Sequence, residues 1–427
     1  MFPDRLVKLS GFGVMVVLLA MAVCLPDARG RQTSVSAGLA LRQEYDSNYN
    51  RTRENPEEVW ISTVSPSIRV LSLSRNDSLS FLYEPGYVVN LTTDSRDISQ
   101  RLLFDVAGNL SEKFKISAGD AFSRSRDYQL AQEAGVDLTD KRGPRKYWVN
   151  TAKLDGTYVY QQNSMLTLGY SNSMLTDEDT EVNNYQKHAS SITIIQQLSQ
   201  RWQALFSYVY TRGDFEQSVD LVSHVPSLRL TFTPEPSATI FSTYSYAKTD
   251  YDGLNIGNVT QNGALGFSYR FDPNTSLSCS VGKYYVFEEM GADNDGYSYD
   301  LNLARRYEKG EISFSGRGGM EDRQFSGSAE GLTRYWTTQT SGTYRFAEAW
   351  SSGVSAYFRN NKFIDQILAT REESYGGSLD VACSFWRWYK FALRYTYSGL
   401  KADLDIKDYQ DHRFMLELSG TAEQWRW

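Results

Sequence analysis

The chain has 427 residues, a formal net charge of −7 and a mean hydropathy of −0.47, yet it carries 29 tyrosines, 21 phenylalanines and 9 tryptophans. An aromatic-rich chain that is hydrophilic on average, with runs of Leu, Ile and Val scarce, does not fit two or three globular domains built on aliphatic cores. The acidic balance gives no support to a nucleic-acid partner, and Cys279 and Cys383, far apart and unmotivated as a pair, give no support to a disulfide framework.

The first thirty residues read as a separate object. Arg5 and Lys8 precede the apolar run "GFGVMVVLLAMAVCL", and Ala28 and Gly30 offer the small residues of a cleavage site. Residues 1–30 are therefore expected to be a cleaved signal peptide, with the mature chain starting near Arg31. Val23 before Cys24 departs from a lipoprotein signal, and a retained anchor helix is the other reading. Without residues 1–30 the net charge becomes −8, because three basic and two acidic groups leave. No later segment holds ~18 consecutive apolar residues, the length of a membrane-spanning helix.

From residue 31 onward one design recurs. Segments of about ten residues alternate apolar and polar side chains, the period of strands with two unlike faces. In "RWQALFSYVYT", Trp202, Ala204, Phe206, Tyr208 and Tyr210 fall on one face, with Gln203, Ser207 and Thr211 among those on the other. "NGALGFSYRF" sets Leu265, Phe267, Tyr269 and Phe271 opposite Ala264, Gly266, Ser268 and Arg270. "GYSYDLNLARRY" and "KFALRYTY" repeat the pattern. About twenty such segments can be counted, the weakest near 113–124 and 185–198.

The connections alternate as well. Short turns fall at 74–78, 111–113, 161–164, 199–200, 234–237, 272–275, 307–311 and 346–349. Longer, more acidic loops fall at 47–58, 91–99, 125–146, 175–184, 212–218, 249–259, 288–296, 321–331, 363–373 and 400–411. This predicts an all-β fold: a transmembrane antiparallel up-and-down β-barrel over 31–427, of about 18–20 strands, with short periplasmic turns and longer extracellular loops in a Gram-negative outer membrane. A soluble propeller or β-helix would show a repeat motif, and none is evident. Tryptophans sit beside the short turns (Trp202, Trp350, Trp386, Trp388, Trp425, Trp427) or the long loops (Trp60, Trp148, Trp336), as two interfacial belts require.

The apolar face of such a barrel must meet lipid. The polar face must line a lumen too wide for side chains to fill, so a water-filled pore is expected unless a loop or another protein plugs it. The parity of the strands assigns Arg42, Arg69, Arg101, Arg229, Arg270, Arg306, Arg317, Arg345, Arg359, Arg394 and Arg413 to the lumen as pore-lining residues. Fewer acids share that face: Glu84, Asp105, Asp155, Asp300, Asp380 and Glu417. Arginine rings would favour anions; cross-strand pairing with the acids, a purely structural role, is the alternative for each residue. The segment 125–146 is the candidate for a constriction loop. The acid-rich loops read as solvated turns. His188, His224 and His412 lie near strand ends without a catalytic motif, and no His/Cys cluster suggests a metal, so neither an enzyme nor a cofactor is expected.

"LRQEYDSNYNRT" (41–52) opens the barrel and "HRFMLELSGTAEQWRW" (412–427) closes it. On these segments the chain resembles a family of outer-membrane barrels associated with capsule and exopolysaccharide export. That resemblance implies a passive polysaccharide export porin, with a periplasmic export partner and, by the same likeness, eighteen strands. A general or solute-specific uptake porin and a surface adhesin are the alternatives. Lipid, lipopolysaccharide and the barrel-assembly machinery are the other partners the barrel implies. The last segment poses its own problem: Phe414, Leu416 and Leu418 share one face, whereas Trp425 and Trp427 have the opposite parity. A register break near Gly420 is required to turn all five toward lipid.

Overall fold

The computed structural model describes residues 31–126, 145–178, 184–216, 219–252, 257–289, 293–323, 331–364, 370–403, 407–422 and 425–426. The expected signal peptide lies outside the described residues. Twenty long strands follow one another: β1 (Gln32–Asp46), β2 (Val59–Leu73), β3 (Asp77–Asn90), β4 (Ser95–Asn109), β5 (Phe114–Ser125), β6 (Tyr147–Gln161), β7 (Ser164–Asp177), β8 (Tyr185–Gln197), β9 (Trp202–Phe215), β10 (Leu221–Glu235), β11 (Ala238–Tyr251), β12 (Asn258–Asp272), β13 (Thr275–Glu288), β14 (Asn294–Tyr307), β15 (Gly310–Asp322), β16 (Leu332–Tyr344), β17 (Trp350–Phe363), β18 (Arg371–Phe385), β19 (Tyr389–Ala402) and β20 (Tyr409–Thr421), with a two-residue piece β21 (Trp425–Arg426).

Each strand pairs antiparallel with the next, and β1 also pairs with β20 from Gly38↔Thr421 to Asp46↔Arg413. The sheet therefore closes on itself as a twenty-strand barrel, which settles the expected range of 18–20 at its upper end. With strands ~4.8 Å apart and tilted ~40°, the backbone diameter is about 40 Å.

Register fixes the two faces all the way round. Leu41 opposes Val64 on one side and Leu418 on the other; Arg42 opposes Thr63 and Glu417. The first row faces out and the second faces in. Large apolar side chains crowd the exterior, among them Leu265 (70% exposed), Val281 (65%) and Tyr297 (73%). A contiguous apolar surface of this extent is not tolerated in water. It is the lipid-facing band of an outer-membrane barrel, and the protein resides in the outer membrane of a Gram-negative bacterium.

The strands run 12–15 residues, or roughly 30–38 Å along the axis at ~3.3 Å per residue and 35–45° of tilt, against a band of ~25 Å. They project into water on the outer side, so the loops are shorter than sequence alone suggested. The connection expected at 91–99 shrinks because β4 starts at Ser95, and that expected at 400–411 lies between Ala402 and Tyr409. Alternation in hydropathy fades once a strand leaves lipid, although its backbone pairing continues.

The periplasmic rim includes one turn the sequence did not mark, Trp386–Trp388. Trp386 and Arg387 both hold positive φ (47° and 62°), the backbone of a tight hairpin turn more often occupied by Asn or Gly. The Trp386 and Phe385 rings meet edge to face at 5.6 Å, an aromatic corner at the headgroup level.

The closing strand shows the register break. Thr421 opposes Gly38, whereas Trp425 opposes Val35. Four steps on the last strand match three on β1, so one residue is extra, the signature of a bulge. The break lies between Thr421 and Trp425 rather than at Gly420, and it turns Trp425 to the outer face with Val35. Trp427 lies outside the described residues.

These faces predict opposite responses to one charge. Leu265→Arg should cost about 2–4 kcal/mol of folding free energy into liposomes, whereas Asn302→Arg, on the inner face between Ser278 and Ser315, should cost under ~1 kcal/mol. Denaturant titration of folding into lipid vesicles measures both; equal costs would mean the faces are misassigned.

Candidate channel wall

The inner face is built from small and polar residues. Hydroxyl pairs link neighbouring strands across it, as in Thr157–Thr167 (3.0 Å), Ser268–Ser278 (2.8 Å), Ser313–Ser341 (2.7 Å) and Ser355–Ser378 (2.8 Å). Such rows give a smooth, wettable wall and leave room in the lumen.

The wall departs from a plain cylinder between β14 and β15. Their pairing ends at Tyr299↔Gly318, while β15 and β16 stay paired up to Asp322↔Leu332. Beyond that point the hairpin end steps inside the barrel. Met320, Asp322, Leu332 and Arg334 have outward parity, yet their partners lie on the inner wall of β11–β14. Leu332 (4% exposed) and Met320 pack on Tyr284 and Val286, which are 2% and 0% exposed. Arg334 Nε donates to the Tyr284 hydroxyl (3.0 Å) and Arg334 Nη2 to the Asp295 carbonyl (3.0 Å). Asp322 accepts a hydrogen bond from the Tyr251 hydroxyl, which in turn accepts one from Asn258 (3.2 Å). The step falls where the sequence reads "GRGGM". A Cβ at Gly318 would lie 2.5 Å from the Tyr299 ring, so only glycine lets the two strands slide past each other there.

The other face of this hairpin meets β17 and β18. Arg359 pairs with Glu321 and donates to Asn361 Oδ1 (2.8 Å), with its guanidinium 4.8 Å from the centre of the Tyr335 ring. The buried Phe363 ring lies between Arg323 and Lys407, each 5.7 Å from its centre, and Lys407 pairs with Glu372. These charges narrow the outer third of the lumen on one side.

Next round the wall, on β20 and β1, Arg413 bonds Glu44 (2.5 Å) and lies 3.3 Å from Asp46. Asn48 ties loop 47–58 down over them through the Thr52 and Gln410 carbonyls, both at 2.8 Å. Burial pushes the phenol of Tyr49 in this loop up to about 12, so the residue stays neutral at any physiological pH.

The eleven arginines marked by sequence divide into five with a carboxylate partner, five without one, and Arg345. Arg42 lies 3.2 Å from Glu417, Arg101 3.6 Å from Glu84 and Arg317 2.8 Å from Asp300; Arg359 and Arg413 are paired as described. Arg69, Arg229, Arg270, Arg306 and Arg394 have inner-face parity but no carboxylate within 4 Å among the described residues. Arg306 and Arg394 stand opposite Glu311 and Asp380 in register. Arg229 lies over the Phe241 ring at 3.8 Å. Arg345 sits past the end of β16, where its backbone N–H bonds Lys309 (2.6 Å).

Sequence reasoning missed the acids of the outer rim, among them Glu44, Asp46, Asp177, Glu372 and Asp411, all buried. They lie where strands leave the bilayer and hydropathy no longer alternates. It also missed Lys115, Lys153, Lys187 and Lys390, which share the inner face by register, and the inward step, whose one legible sign was the glycine cluster. The candidate constriction at 125–146 falls, for residues 127–144, outside the described residues. Next to it, Tyr147, Val149, Leu175, Tyr185, Phe215 and Leu221 form a buried apolar cluster on the inner wall.

All three histidines lie on the outer face, away from the lumen. Each accepts or donates a hydrogen bond at Nδ1 with a tyrosine of the preceding strand: Tyr170–His188 (2.7 Å), Tyr208–His224 (2.7 Å) and Tyr395–His412 (2.8 Å). Among the described residues no group of three His, Cys, Asp or Glu side chains is arranged to hold a metal.

No family model matches the chain, and no curated protein does. Solved structures match over nearly their whole length. OccAB2 of Acinetobacter baumannii is 11% identical, with 92% of this chain and 98% of that chain covered and a TM-score of 0.45. The BenF-like porin of Pseudomonas fluorescens Pf-5 is 10% identical, with 91% and 99% covered and a TM-score of 0.44. The outer membrane protein OpdK of Pseudomonas aeruginosa is 9% identical, with 92% and 99% covered and a TM-score of 0.41. Identity this low bears on fold alone. The resemblance to polysaccharide-export barrels is corrected by the wall itself, which has twenty strands where that family implied eighteen. The export partner inferred from that resemblance falls with it.

The inward hairpin makes a measurable prediction. Leu332→Ala should weaken its docking by about 2–4 kcal/mol and raise single-channel conductance in planar bilayers. Unchanged conductance, with protease resistance of the hairpin also unchanged, would show that this contact does not hold it.

Proposed function

We propose that this outer-membrane channel is a passive diffusion porin for small solutes, with a preference for anions. The observation that carries the reading is the excess of cations on the inner wall: among the described inner-face residues without an ion pair, Arg69, Arg229, Arg270, Arg306, Arg394, Lys115, Lys153 and Lys390 outnumber Asp105, Asp155, Glu311 and Asp380. The rim acids are buried, and Glu44, Asp46 and Glu372 are held by Arg413 and Lys407, so they present little field to a passing solute. Arg69, Arg229 and Arg270, nearer the periplasmic side, have no carboxylate partner among the described residues. A charge without a partner keeps its full attraction for a counter-ion in a water-filled pore.

The wall supports diffusion rather than tight binding. Its side chains are small and hydroxyl-bearing along much of the described inner face, and the narrowing by β15 and β16 occupies one side of the lumen. Insertion through the barrel-assembly machinery belongs to the same reading, as does removal of residues 1–30.

Reconstitution tests it. In planar bilayers under a KCl gradient, the protein should show an anion-directed reversal potential. The triple variant Arg69→Glu/Arg229→Glu/Arg270→Glu should lower the anion-to-cation permeability ratio by about threefold or more, with heat-modifiable mobility retained as evidence of folding. A cation-selective wild type, or a triple variant with unaltered selectivity, would overturn the proposal.

A further inference from the structure

The outer face of β8–β11 carries basic side chains that the channel does not use. His188 opposes Arg212, Arg212 opposes Val222, and His224, two residues on, opposes Lys248. Directly opposed Cβ atoms lie ~5 Å apart and diagonal ones ~7–8 Å apart, so the four side chains form one patch across four strands. Parity turns them to the exterior with Phe206, Leu228 and Ile240, all exposed.

Height decides what the patch meets. Arg212 is ten residues above Trp202 on β9, which at ~3.3 Å per residue and ~40° of tilt is about 25 Å, the thickness of the apolar band. Trp202 marks the periplasmic interface, so Arg212 sits at the outer headgroup level. Lys248 is ten residues above Ala238 on β11, at the same level.

The patch is held in place. The Tyr170 hydroxyl and the Asn172 amide nitrogen both lie within hydrogen-bond distance of His188 Nδ1, at 2.7 and 3.2 Å. An amide nitrogen can only donate, so Nδ1 accepts and Nε2 carries the proton. The Tyr208 hydroxyl lies 2.7 Å from His224 Nδ1 and orients that ring. Each cation has a carboxylate one step further out on its strand: Asp214 at 3.2 Å from Arg212 and Asp250 at 3.2 Å from Lys248. Arg212 and Lys248 remain 60% and 45% exposed.

We propose that the outer face of β8–β11 is a binding site for the lipid A phosphates of outer-leaflet lipopolysaccharide, with Arg212 and Lys248 as the charged ligands and His188 and His224 as oriented donors. Cations at the phosphate level with carboxylates just above them match a layer of phosphates bridged by divalent ions. His412 supplies an internal control. It has the same tyrosine bond (2.8 Å), but its neighbours on β19 are Tyr395 and Tyr397 and no cation.

Native mass spectrometry of the folded barrel in detergent, titrated with bisphosphorylated or dephosphorylated lipid A, tests the site. The expected result is a lipid A adduct on the wild type, retained in His412→Gln and reduced about tenfold or more in Arg212→Gln/Lys248→Gln, with little adduct from dephosphorylated lipid A. Equal adducts on the double variant and the wild type would overturn the proposal, as would equal binding of the dephosphorylated form. Should the double variant instead dissociate an oligomer while keeping its lipid A, the face is a contact between copies and the proposal fails. Heat-modifiable mobility confirms that each variant is folded.

Discussion

Everything in this structure follows from one requirement: in lipid, each backbone N–H and C=O must find a partner within the protein. A sheet meets it only by closing, which is why β1 pairs with β20 and with the two-residue continuation of the last strand. Closure then dictates side-chain chemistry. Successive residues face lipid and water in turn, and any residue added to one strand moves everything beyond it to the other face. The bulge before Trp425 is the place where the chain uses that rule. One extra residue converts a tryptophan that would have faced the lumen into one that anchors the wall at the periplasmic interface.

The same requirement relaxes once the strands leave the bilayer, and the inward hairpin exploits this. β14 and β15 part above Tyr299 and Gly318, which would strand backbone groups in lipid but is tolerable in water. Arg334 replaces one lost partner at the Asp295 carbonyl, and the Asp322 and Tyr251 side chains tie the hairpin to the wall four strands away. The apolar contact of Leu332 and Met320 with Tyr284 and Val286 supplies the driving force, since it removes aliphatic and aromatic surface from water. The result is a narrowing made from the wall itself.

The barrel was legible in sequence because the lipid boundary imposes a period of two on hydropathy, strongest where the membrane is. "RWQALFSYVYT" shows this, with Trp202 at one end and Tyr210 at the other, both placed by the alternation. Face assignment was legible for the same reason: Arg42 and Glu417, or Arg317 and Asp300, could be put on one face without knowing that they touch. The outer rim was not legible. Asp46, Glu372 and Asp411 lie where both faces meet water or protein, so no alternation marks them. Nor could sequence reveal the inward step, where Arg334 and Asp322 keep outward parity while the backbone beneath them changes sides. Parity reports which face of a strand a residue occupies, and a tertiary bend then decides what that face meets.

That distinction bears on the electrostatics of the wall. A pore-facing arginine can either brace the barrel or act on a solute, and register alone does not separate these. Partner distance does. Arg317, 2.8 Å from Asp300, has its field cancelled locally and links two strands. Arg229, over the Phe241 ring at 3.8 Å, is steered by a neutral partner that restricts its motion and leaves its charge intact. Cation–π seating thus gives a wide barrel a means to fix a guanidinium without neutralising it. An aromatic on the inner face, out of place under binary patterning, becomes intelligible as support for a working charge.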